Sequence, residues 1–170
     1  MQRPEAAART TEFVKLLDEH RGILFKVARA YCREPVARED LVQDIIVQLW
    51  RSFARYDGRT SFSTWMYRIA VNVAISFYRR ETRLRHDLVP ANASLLEMIA
   101  VTEEDFDDRA ALVYELIDRL EPLDRALMIL YLDDYPYATI AEILGITETN
   151  VATKIGRIKQ RLKSGIAAPH

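Results

Sequence analysis

Apolar residues recur every three or four positions through most of this chain, a spacing that places them on one face of an α-helix. No stretch of useful length alternates apolar and polar residues, as a half-buried strand would. The six prolines fall where a periodic pattern starts or stops, as expected of helix breakers in a mostly helical chain. The pattern therefore predicts an all-α fold.

Three helices are predicted in the first half of the chain. The first begins at Thr10 or Thr11, either of which could cap it, and ends before Pro35, with Gly22 marking either a bend or a break into two helices. The second covers about 36–54 and the third about 61–85. Each has an apolar face, and three such helices are enough for a compact domain.

The second half begins with a break in the periodic pattern. Residues 86–108 predict a flexible acidic linker, at most partly helical, in which Ser94 could start one short helix. Four short helices are predicted after it: one from about Asp107 to Leu120, Leu123 to Leu132, Tyr137 to Leu144, and one from a Thr147 cap to about Lys163.

The last two predicted helices have the pattern of a helix-turn-helix. Ala141 lets two helices cross closely, Gly145 suits a left-handed turn, and Val151, Ile155 and Ile158 recur at burial spacing. The alternative is a plain packing hairpin. The outward side chains would suit the major groove, with cations against phosphates: Thr149, Asn150, Ala152, Thr153, Gly156 and Arg157, flanked by Lys154, Lys159, Arg161 and Lys163.

The stretch 56–85, which contains the third predicted helix, combines a polar stripe with aromatic rings. The stripe consists of Arg68, Asn72, Ser76, Arg79 and Arg83, and the rings include Tyr56, Phe62, Trp65 and Tyr67. Guanidinium and amide groups beside exposed rings suit phosphates and unstacked bases. The alternative interpretation is an amphipathic helix with a solvated basic face.

An acidic patch is predicted on the second helix, opposite its apolar face. Asp40, Gln43, Asp44 and Val47 gather there. Such a patch is either simply solvated or a docking surface for a basic partner helix.

The distribution of charge along the chain is more informative about function than its net charge. The 170 residues carry a net charge of −1, but two basic blocks, 66–85 and 150–170, enclose an acidic one, 87–108. Such an alternation suggests two nucleic-acid-facing surfaces on a hinge, or charge segregation for solubility. The single Cys32 lies in a helical pattern and predicts a buried thiol.

Enzymatic chemistry finds no support in the sequence. The three histidines are scattered, and no metal-ligand cluster, nucleophile–base pair or glycine-rich phosphate loop is visible, so no cofactor or metal is expected. With no apolar run long enough to span a bilayer and no signal peptide, no membrane insertion and a cytoplasmic location are expected. A helical interaction module and a self-sufficient helix-turn-helix regulator remain as alternatives.

Two groups of motifs carry a family resemblance. The chain resembles RNA polymerase sigma factors of the sigma-70 family, in the extracytoplasmic-function (ECF) group that has only σ2 and σ4 domains. The σ2-like motifs are 37–44, 49–51, 56–58 and 62–72, and the σ4-like motifs are 137–142, 144–145 and 151–157. The resemblance implies a σ2 helical bundle at 11–85 and a σ4 helix-turn-helix at 109–165, joined by the acidic linker 86–108, with tails at 1–10 and 166–170.

The resemblance also implies roles for the σ2-like residues. Asp40, Gln43 and Asp44 match positions that dock on the β′ clamp helices of core RNA polymerase, and Asn72 matches the position that captures a base flipped from the −10 element. Residues expected to open and hold the non-template strand are Tyr56, Phe62, Trp65, Tyr67, Arg68, Arg79 and Arg80. Phe62 and Trp65 also fit the apolar face, so the sequence leaves open which rings stack on DNA and which fill the core.

For the σ4-like half, the resemblance implies −35 recognition and contact with the polymerase β flap. The implied −35 residues are Asn150, Ala152, Thr153, Lys154, Gly156, Arg157 and Arg161. The sequence departs from the family at Ala152 and Gly156, which offer almost no side chain, and at Thr139, where an acid is common. Readout is therefore expected to rely on Arg157, Thr153, a methyl contact from Ala152, and DNA shape.

The function implied as a whole is promoter recognition, DNA melting and transcription initiation, together with core polymerase and under the control of an anti-sigma factor. The acidic linker would thread toward the RNA exit channel.

Overall fold

The computed structural model describes residues 3–87 and 108–165, and these residues form eight α-helices and no strand. The all-α prediction is confirmed. The predicted acidic linker, apart from its two ends, and the helix predicted from Ser94 lie outside the described residues. The helices are α1 (Arg3–Glu19), α2 (Arg21–Tyr31), α3 (Pro35–Phe53), α4 (Phe62–Asp87), α5 (Asp108–Ile117), α6 (Pro122–Leu132), α7 (Tyr137–Leu144) and α8 (Glu148–Gly165).

Helices α1 to α4 form the N-terminal unit, residues 3–87. Pro35 is the first residue of α3, a position where its missing N–H costs nothing. Every fourth residue of α3 from Leu41 to Phe53 is buried, and this face packs on α2 and α4. Helix α4 is capped by Ser61, whose Oγ accepts the N–H of Thr64 at 3.2 Å.

The start predicted for the first helix is wrong. Helix α1 begins at Arg3, so Thr10 and Thr11 lie inside it, where their hydroxyls donate to the carbonyls of Ala6 and Ala7 at 2.9 and 3.0 Å. The alanine-rich stretch before the threonines is a good helix former and carries the helix toward the N-terminus. The helix predicted before Pro35 is divided at His20 into α1 and α2, so of the two alternatives left open at Gly22 the structure has the break, two residues earlier.

Helices α5 to α8 form the C-terminal unit, residues 108–165. Gly145 ends α7 in the left-handed conformation (φ 67°), and Thr147 caps α8 by accepting the N–H of Asn150 at 3.1 Å. Val151, Ile155 and Ile158 are buried against α6 and α7. The predicted helix-turn-helix, with its glycine turn and threonine cap, is confirmed.

The two units pack against each other. Helices α2 and α4 of the N-terminal unit contact α6, α4 also contacts α7, and α2 contacts α5. Tyr31 of α2 donates its hydroxyl to the carbonyl of Pro122 at 2.6 Å. Buried side chains continue from one unit into the other in a single cluster. The periodicity of the apolar residues does not predict this placement.

Candidate nucleic-acid interface and docking surface

The acidic patch lies on the exposed side of α3. Asp40, Gln43 and Asp44 all face solvent, while Leu41 and Ile45 on the opposite side are fully buried. The three exposed residues line a concavity of about 460 Å³ with the start of α3 and part of α4. The patch is therefore open to a partner on the side that carries its charge.

The same patch meets the basic end of α4. Nη2 of Arg80 lies 3.6 Å from Oδ2 of Asp44, with both side chains more than half exposed, so solvent screens the pair and it contributes little to stability. The Arg80 guanidinium also lies 5.4 Å from the ring centre of Phe77. Neither carboxylate of the patch is locked in a buried ion pair.

A groove of about 350 Å³ runs between α3 and α4. Asp44 and Gln48 line it from α3, and Asn72, Ser76 and Arg80 line it from α4, above the apolar residues Ile69, Val73 and Phe77. Asp44 and Asn72, to which the family resemblance assigns different partners, thus share one groove. Gln48 was missed by the sequence analysis, although its four-residue spacing from Asp44 is a signal for the same helix face.

The polar stripe predicted along α4 is exposed over its whole length. Arg68, Asn72, Ser76, Arg79 and Arg83 all face solvent. A separate concavity is lined by Ser76, Arg79, Arg80, Arg83 and Leu84. The helix therefore presents amide, hydroxyl and guanidinium groups in a row that a polyanionic backbone could follow.

The aromatic residues divide into buried and half-buried ones. Phe62 is buried, whereas Tyr56 and Trp65 are partly exposed and their ring centres lie 4.9 Å apart. The Tyr56 hydroxyl donates to the carbonyl of Thr60 at 2.8 Å, which fixes the ring. Phe53 and Phe62 pack against both rings from the core side. Tyr56 and Trp65 therefore form a fixed, half-exposed aromatic edge.

Tyr67 has a different position from the other predicted DNA-contacting rings. Its side chain is fully buried between the two units, and its hydroxyl donates to Oδ2 of Asp133 at 2.5 Å. Tyr135 meets the ring edge-to-face at 5.3 Å. Burial, and the hydrogen bond to the Asp133 carboxylate, raise the pKa of Tyr67 above its ordinary value, so the phenol stays protonated and remains a donor. With the units in this arrangement, the ring cannot touch DNA.

The outward face of α8 is exposed as the sequence predicts. Asn150, Ala152, Thr153, Gly156, Arg157 and Arg161 all face solvent. Lys154 is half-buried, with Nζ 3.8 Å from Oδ1 of Asp124 on α6. A methyl group added at Gly156 would meet nothing within 4 Å, so packing inside this protein does not require a glycine there. A helical glycine costs roughly 1 kcal/mol relative to alanine, and one use for it is close approach of the backbone to a ligand.

Residues that join the two units were missed by the sequence analysis. Arg125 directly precedes the apolar run 126–132 and is buried, and Asp133 pairs with Lys26 of α2 across the boundary. The sequence gives little signal for the burial of Arg125, because this residue follows Asp124 and could equally have been a solvated residue of the first turn of the helix. Its partners could not be inferred, since they lie far away in the sequence.

Three further features of the described residues bear on function. Residues 3–87 and 108–165 contain no group of three His, Cys, Asp or Glu side chains that could hold a metal ion. Within the same ranges, every helix is too short or too polar to cross a bilayer. The side chain of Cys32 is buried, as predicted.

Comparison with protein families matches two segments of the chain. Residues 16–84 match the model of sigma-70 region 2, and residues 110–162 match the model of sigma-70 region 4. Among relatives, the chain is 28% identical to RNA polymerase sigma factor YlaC of Bacillus subtilis over 75% of this chain and 76% of the relative. It is 26% identical to ECF RNA polymerase sigma factor SigE of Mycolicibacterium smegmatis over 90% of this chain and 61% of the relative.

Solved structures show the same fold. CnrH, solved in complex with the cytosolic domain of CnrY, gives a TM-score of 0.68 at 22% identity and covers 97% of this chain and 96% of its own. The sigma factor RpoE of Bartonella quintana, solved with the anti-sigma factor NepR, gives 0.60 at 18% identity and covers 95% and 98%.

Proposed function

The chain belongs to the sigma-70 family, in its ECF group, and from this premise we propose that it binds core RNA polymerase, directs it to promoters and melts the DNA at the start site. We assign residues 11–85 to the σ2 domain and 109–165 to the σ4 domain, with the acidic linker 86–108 between them and tails at 1–10 and 166–170. The protein supplies recognition and binding energy rather than catalysis, and it acts in the cytoplasm together with the polymerase.

The groove between α3 and α4 is the observation that carries this proposal. Asp44 lines it from α3, and Asn72 and Arg80 line it from α4. Asp40, Gln43 and Asp44 are the proposed docking site for the β′ clamp helices, since an exposed acidic helix face complements basic helices. A polymerase bound there would bring the DNA that it holds beside Asn72. The polymerase-docking site and the base-capture site would then lie next to each other on one surface.

Melting is proposed to use the groups next to that groove. Asn72 would hold a base extruded from the −10 element, and Tyr56 and Trp65 would stack on neighbouring bases. Unstacking costs a few kcal/mol per base step, and stacking on aromatic rings returns roughly 1–3 kcal/mol per base. Arg68, Arg79 and Arg80 would follow the phosphates. Phe62 supports the rings from the core, and Tyr67 becomes available only when the two units separate.

The exposed face of α8 is the proposed −35 reader. Arg157 and Thr153 are its main candidates for contact with base edges, and Ala152 could touch a thymine methyl. Gly156 leaves the helix backbone free to approach the groove wall closely. Asn150, Lys154 and Arg161 are assigned to the phosphates on either side. We also assign to the σ4 domain the contact with the polymerase β flap.

An inhibitory protein partner is part of the proposal. RpoE was solved with an anti-sigma factor, and CnrH was solved with the cytosolic domain of CnrY. We propose that an anti-sigma factor likewise holds this protein away from polymerase. A stand-alone helix-turn-helix regulator is the alternative, but such proteins read two similar half-sites as dimers, whereas this chain carries two unlike exposed surfaces.

In vitro transcription of fragmented genomic DNA tests the proposal on all promoters at once, so no promoter has to be chosen for the experiment. Core polymerase of the source organism is incubated with and without the protein, and the 5′ ends of the transcripts are sequenced. We expect a small set of start sites that depend on the protein and share sequence near −10 and −35. If the same start sites appear with and without the protein, the proposal fails and the stand-alone regulator gains support.

A further inference from the structure

Gln48 lines the groove between α3 and α4 but has no role in the function proposed above. Its side chain is exposed, and it follows Asp44 by one helical turn, about 6 Å along the axis of α3. The helix continues to Phe53, whose ring packs against those of Tyr56 and Trp65. Along α3, Gln48 therefore lies between the proposed docking site and the rings proposed to stack on bases.

The amide of Gln48 has a defined orientation. Its Nε2 donates to Oγ of Ser52, one turn further along α3, at 3.4 Å. This bond is longer than the usual range of about 2.7–3.2 Å, so it determines which end of the amide faces Ser52 without holding the side chain rigidly. Within residues 3–87 and 108–165, Oε1 of Gln48 accepts no hydrogen bond. The carbonyl oxygen is thus the end of the amide that remains for a ligand.

Asn72 contributes a second amide to the same groove, from α4. Its side chain is exposed and makes no hydrogen bond with the part of the chain that the structure describes. An amide offers an acceptor oxygen and two donor hydrogens, so it can pair with the hydrogen-bonding edge of a base. The groove therefore combines one amide held in a single orientation with another that is free to turn.

The apolar residues of the groove suit a flat ring. Ile69 and Val73 line it and are partly buried against the core. Extruded bases are commonly held between apolar or aromatic side chains while polar groups read their edge. The groove volume of about 350 Å³ falls within the range of small-ligand pockets, roughly 300–1,000 Å³. The groove thus has the volume and the apolar surface to receive one base.

The other polar residues of the groove are less suited to distinguishing bases. Asp44 belongs to the proposed docking site, and its Oδ2 lies 3.6 Å from Nη2 of Arg80. The hydroxyl of Ser76 can donate or accept, so it pairs equally well with either kind of group on a base. Gln48 and Asn72 are the remaining polar side chains of the groove.

We propose that Gln48 determines which base of the −10 element the groove accepts, by pairing its carbonyl oxygen with an amino group of the base that Asn72 captures. This inference rests on the proposed function. Adenine and cytosine carry an amino group at the edge that an extruded base exposes, where guanine and thymine carry a carbonyl oxygen. An acceptor at Gln48 therefore selects adenine or cytosine. Asn72 donates to the ring nitrogen beside that amino group.

A promoter library transcribed by reconstituted holoenzyme tests the role of Gln48. A promoter identified by the transcription of genomic DNA is randomised across its −10 element, and each template carries a barcode in the transcribed region. Counting barcodes in the RNA gives the base preference at every position. For the wild-type protein, we expect one position at which adenine or cytosine is preferred to guanine or thymine by roughly tenfold.

Variants of Gln48 should change the preference at that position in a defined direction. Gln48→Glu keeps an acceptor and should retain the preference for adenine or cytosine. Gln48→Lys supplies only donors and should reverse the preference toward guanine or thymine at that position alone. The added charge attracts the phosphates of all templates alike, so it cancels in the ratio between bases. The other positions of the −10 element are the internal control.

Ser52→Ala tests the orientation of the amide. Without the Ser52 hydroxyl, the amide of Gln48 can turn and present either its oxygen or its nitrogen to the base. The preference for adenine or cytosine should therefore fall severalfold, while total transcription stays close to that of the wild type. A Ser52→Ala protein with the full wild-type preference would contradict the proposed orientation.

Two further results would overturn the role of Gln48. One is a Gln48→Lys holoenzyme that keeps the wild-type preference at every −10 position. The other is a loss of core affinity by Gln48→Lys, in titration of labelled core polymerase, as large as that of a charge reversal at Asp40 and Asp44, because it would place Gln48 in the docking site. Circular dichroism checks folding, and the near-isosteric Gln48→Glu provides a second variant. The absence of protein-dependent transcripts from every template would instead refute the proposed function, and this inference with it.

Discussion

The two helices proposed to contact DNA, α4 and α8, differ in how much of the proposed contact surface is exposed. The outward face of α8 is exposed, with Lys154 and Lys159 at its flanks drawn toward α6. Helix α4 presents an exposed polar stripe, but one of its rings, Tyr67, is buried under the other unit. The face of α8, which is proposed to read duplex DNA, is already exposed in the free protein. The face of α4, which is proposed to receive unstacked bases, is exposed only in part, because Tyr67 is covered by the C-terminal unit.

The largest expected effect comes from reversing the charge of the acidic patch on α3, next to α4. Asp40→Lys combined with Asp44→Lys reverses the charge that a basic clamp helix would meet, so core binding should fall roughly 100-fold or more. Transcription from every dependent promoter should be lost with it. Glu12→Lys combined with Glu19→Lys makes the same charge change on exposed positions of α1 and should leave core binding intact. Titration of labelled core polymerase measures the affinity, and circular dichroism checks folding. Unchanged affinity of the α3 variant would refute the docking assignment.

The next largest effect is expected within the groove. Asn72→Ala removes the amide proposed to hold the flipped base, so open-complex formation on duplex promoter should fall roughly tenfold, equivalent to about 1.4 kcal/mol. Core affinity should change little. Permanganate footprinting measures the opening. Ser76→Ala, one turn further along the same groove, is the matched control. A template with a pre-melted −10 region should recover much of the loss, and an Asn72→Ala protein as active as Ser76→Ala would remove Asn72 from base capture.

Two arginines of α8 are expected to differ in role, with Arg157 determining sequence specificity and Arg161 contributing only to affinity. Arg157→Ala should cost about 1–3 kcal/mol on the preferred −35 sequence and relax the preference at one position. Arg161→Ala should weaken all sequences alike and reduce the salt dependence of binding by about one phosphate contact. Fluorescence anisotropy on a panel of −35 duplexes at several salt concentrations separates the two. Equal losses on all duplexes for both variants would place Arg157 on the backbone.

The smallest expected effect concerns Gly156. Gly156→Ala should stabilise the free protein by about 0.4–1 kcal/mol, because alanine restricts the unfolded chain and the site is open. It should nevertheless weaken −35 binding severalfold if the backbone approaches the groove there. Gly22→Ala on α2 is the matched control, since a methyl group there also meets nothing within 4 Å. Thermal unfolding and anisotropy measure the two quantities. Unchanged −35 affinity for Gly156→Ala would show that the groove leaves room for a side chain.

Local rules predicted most of the fold. Burial at four-residue spacing identified α3 and α8, and the Gly145 turn and Thr147 cap were predicted from their residue types. The start of α1 was missed because a threonine can cap a helix or donate to the carbonyl four residues back, as Thr10 does to Ala6. Sequence alone does not decide between these two uses.

The candidate site was predicted less completely than the fold, and α4 shows why. Periodicity identified a polar stripe on α4 and, on another side, an apolar face made of Phe62, Trp65, Met66, Ile69, Val73 and Phe77. Tyr67 and Val71 belong to neither set, yet both are buried. Tyr67 is covered by residues about 66 positions away in the chain. The apolar periodicity of α4 predicts which of its side chains pack within the N-terminal unit. It does not predict which side chains the C-terminal unit covers.

The position of Arg125 has a consequence for how the free protein unfolds. One guanidinium satisfies the end of α2 in the N-terminal unit and the turn after α5 in the C-terminal unit. If either unit melts, the other loses hydrogen-bond partners for buried carbonyls and gains an exposed apolar face. The two halves of the free chain should therefore melt in one cooperative transition, whereas Asp133→Lys should divide the calorimetric peak into two.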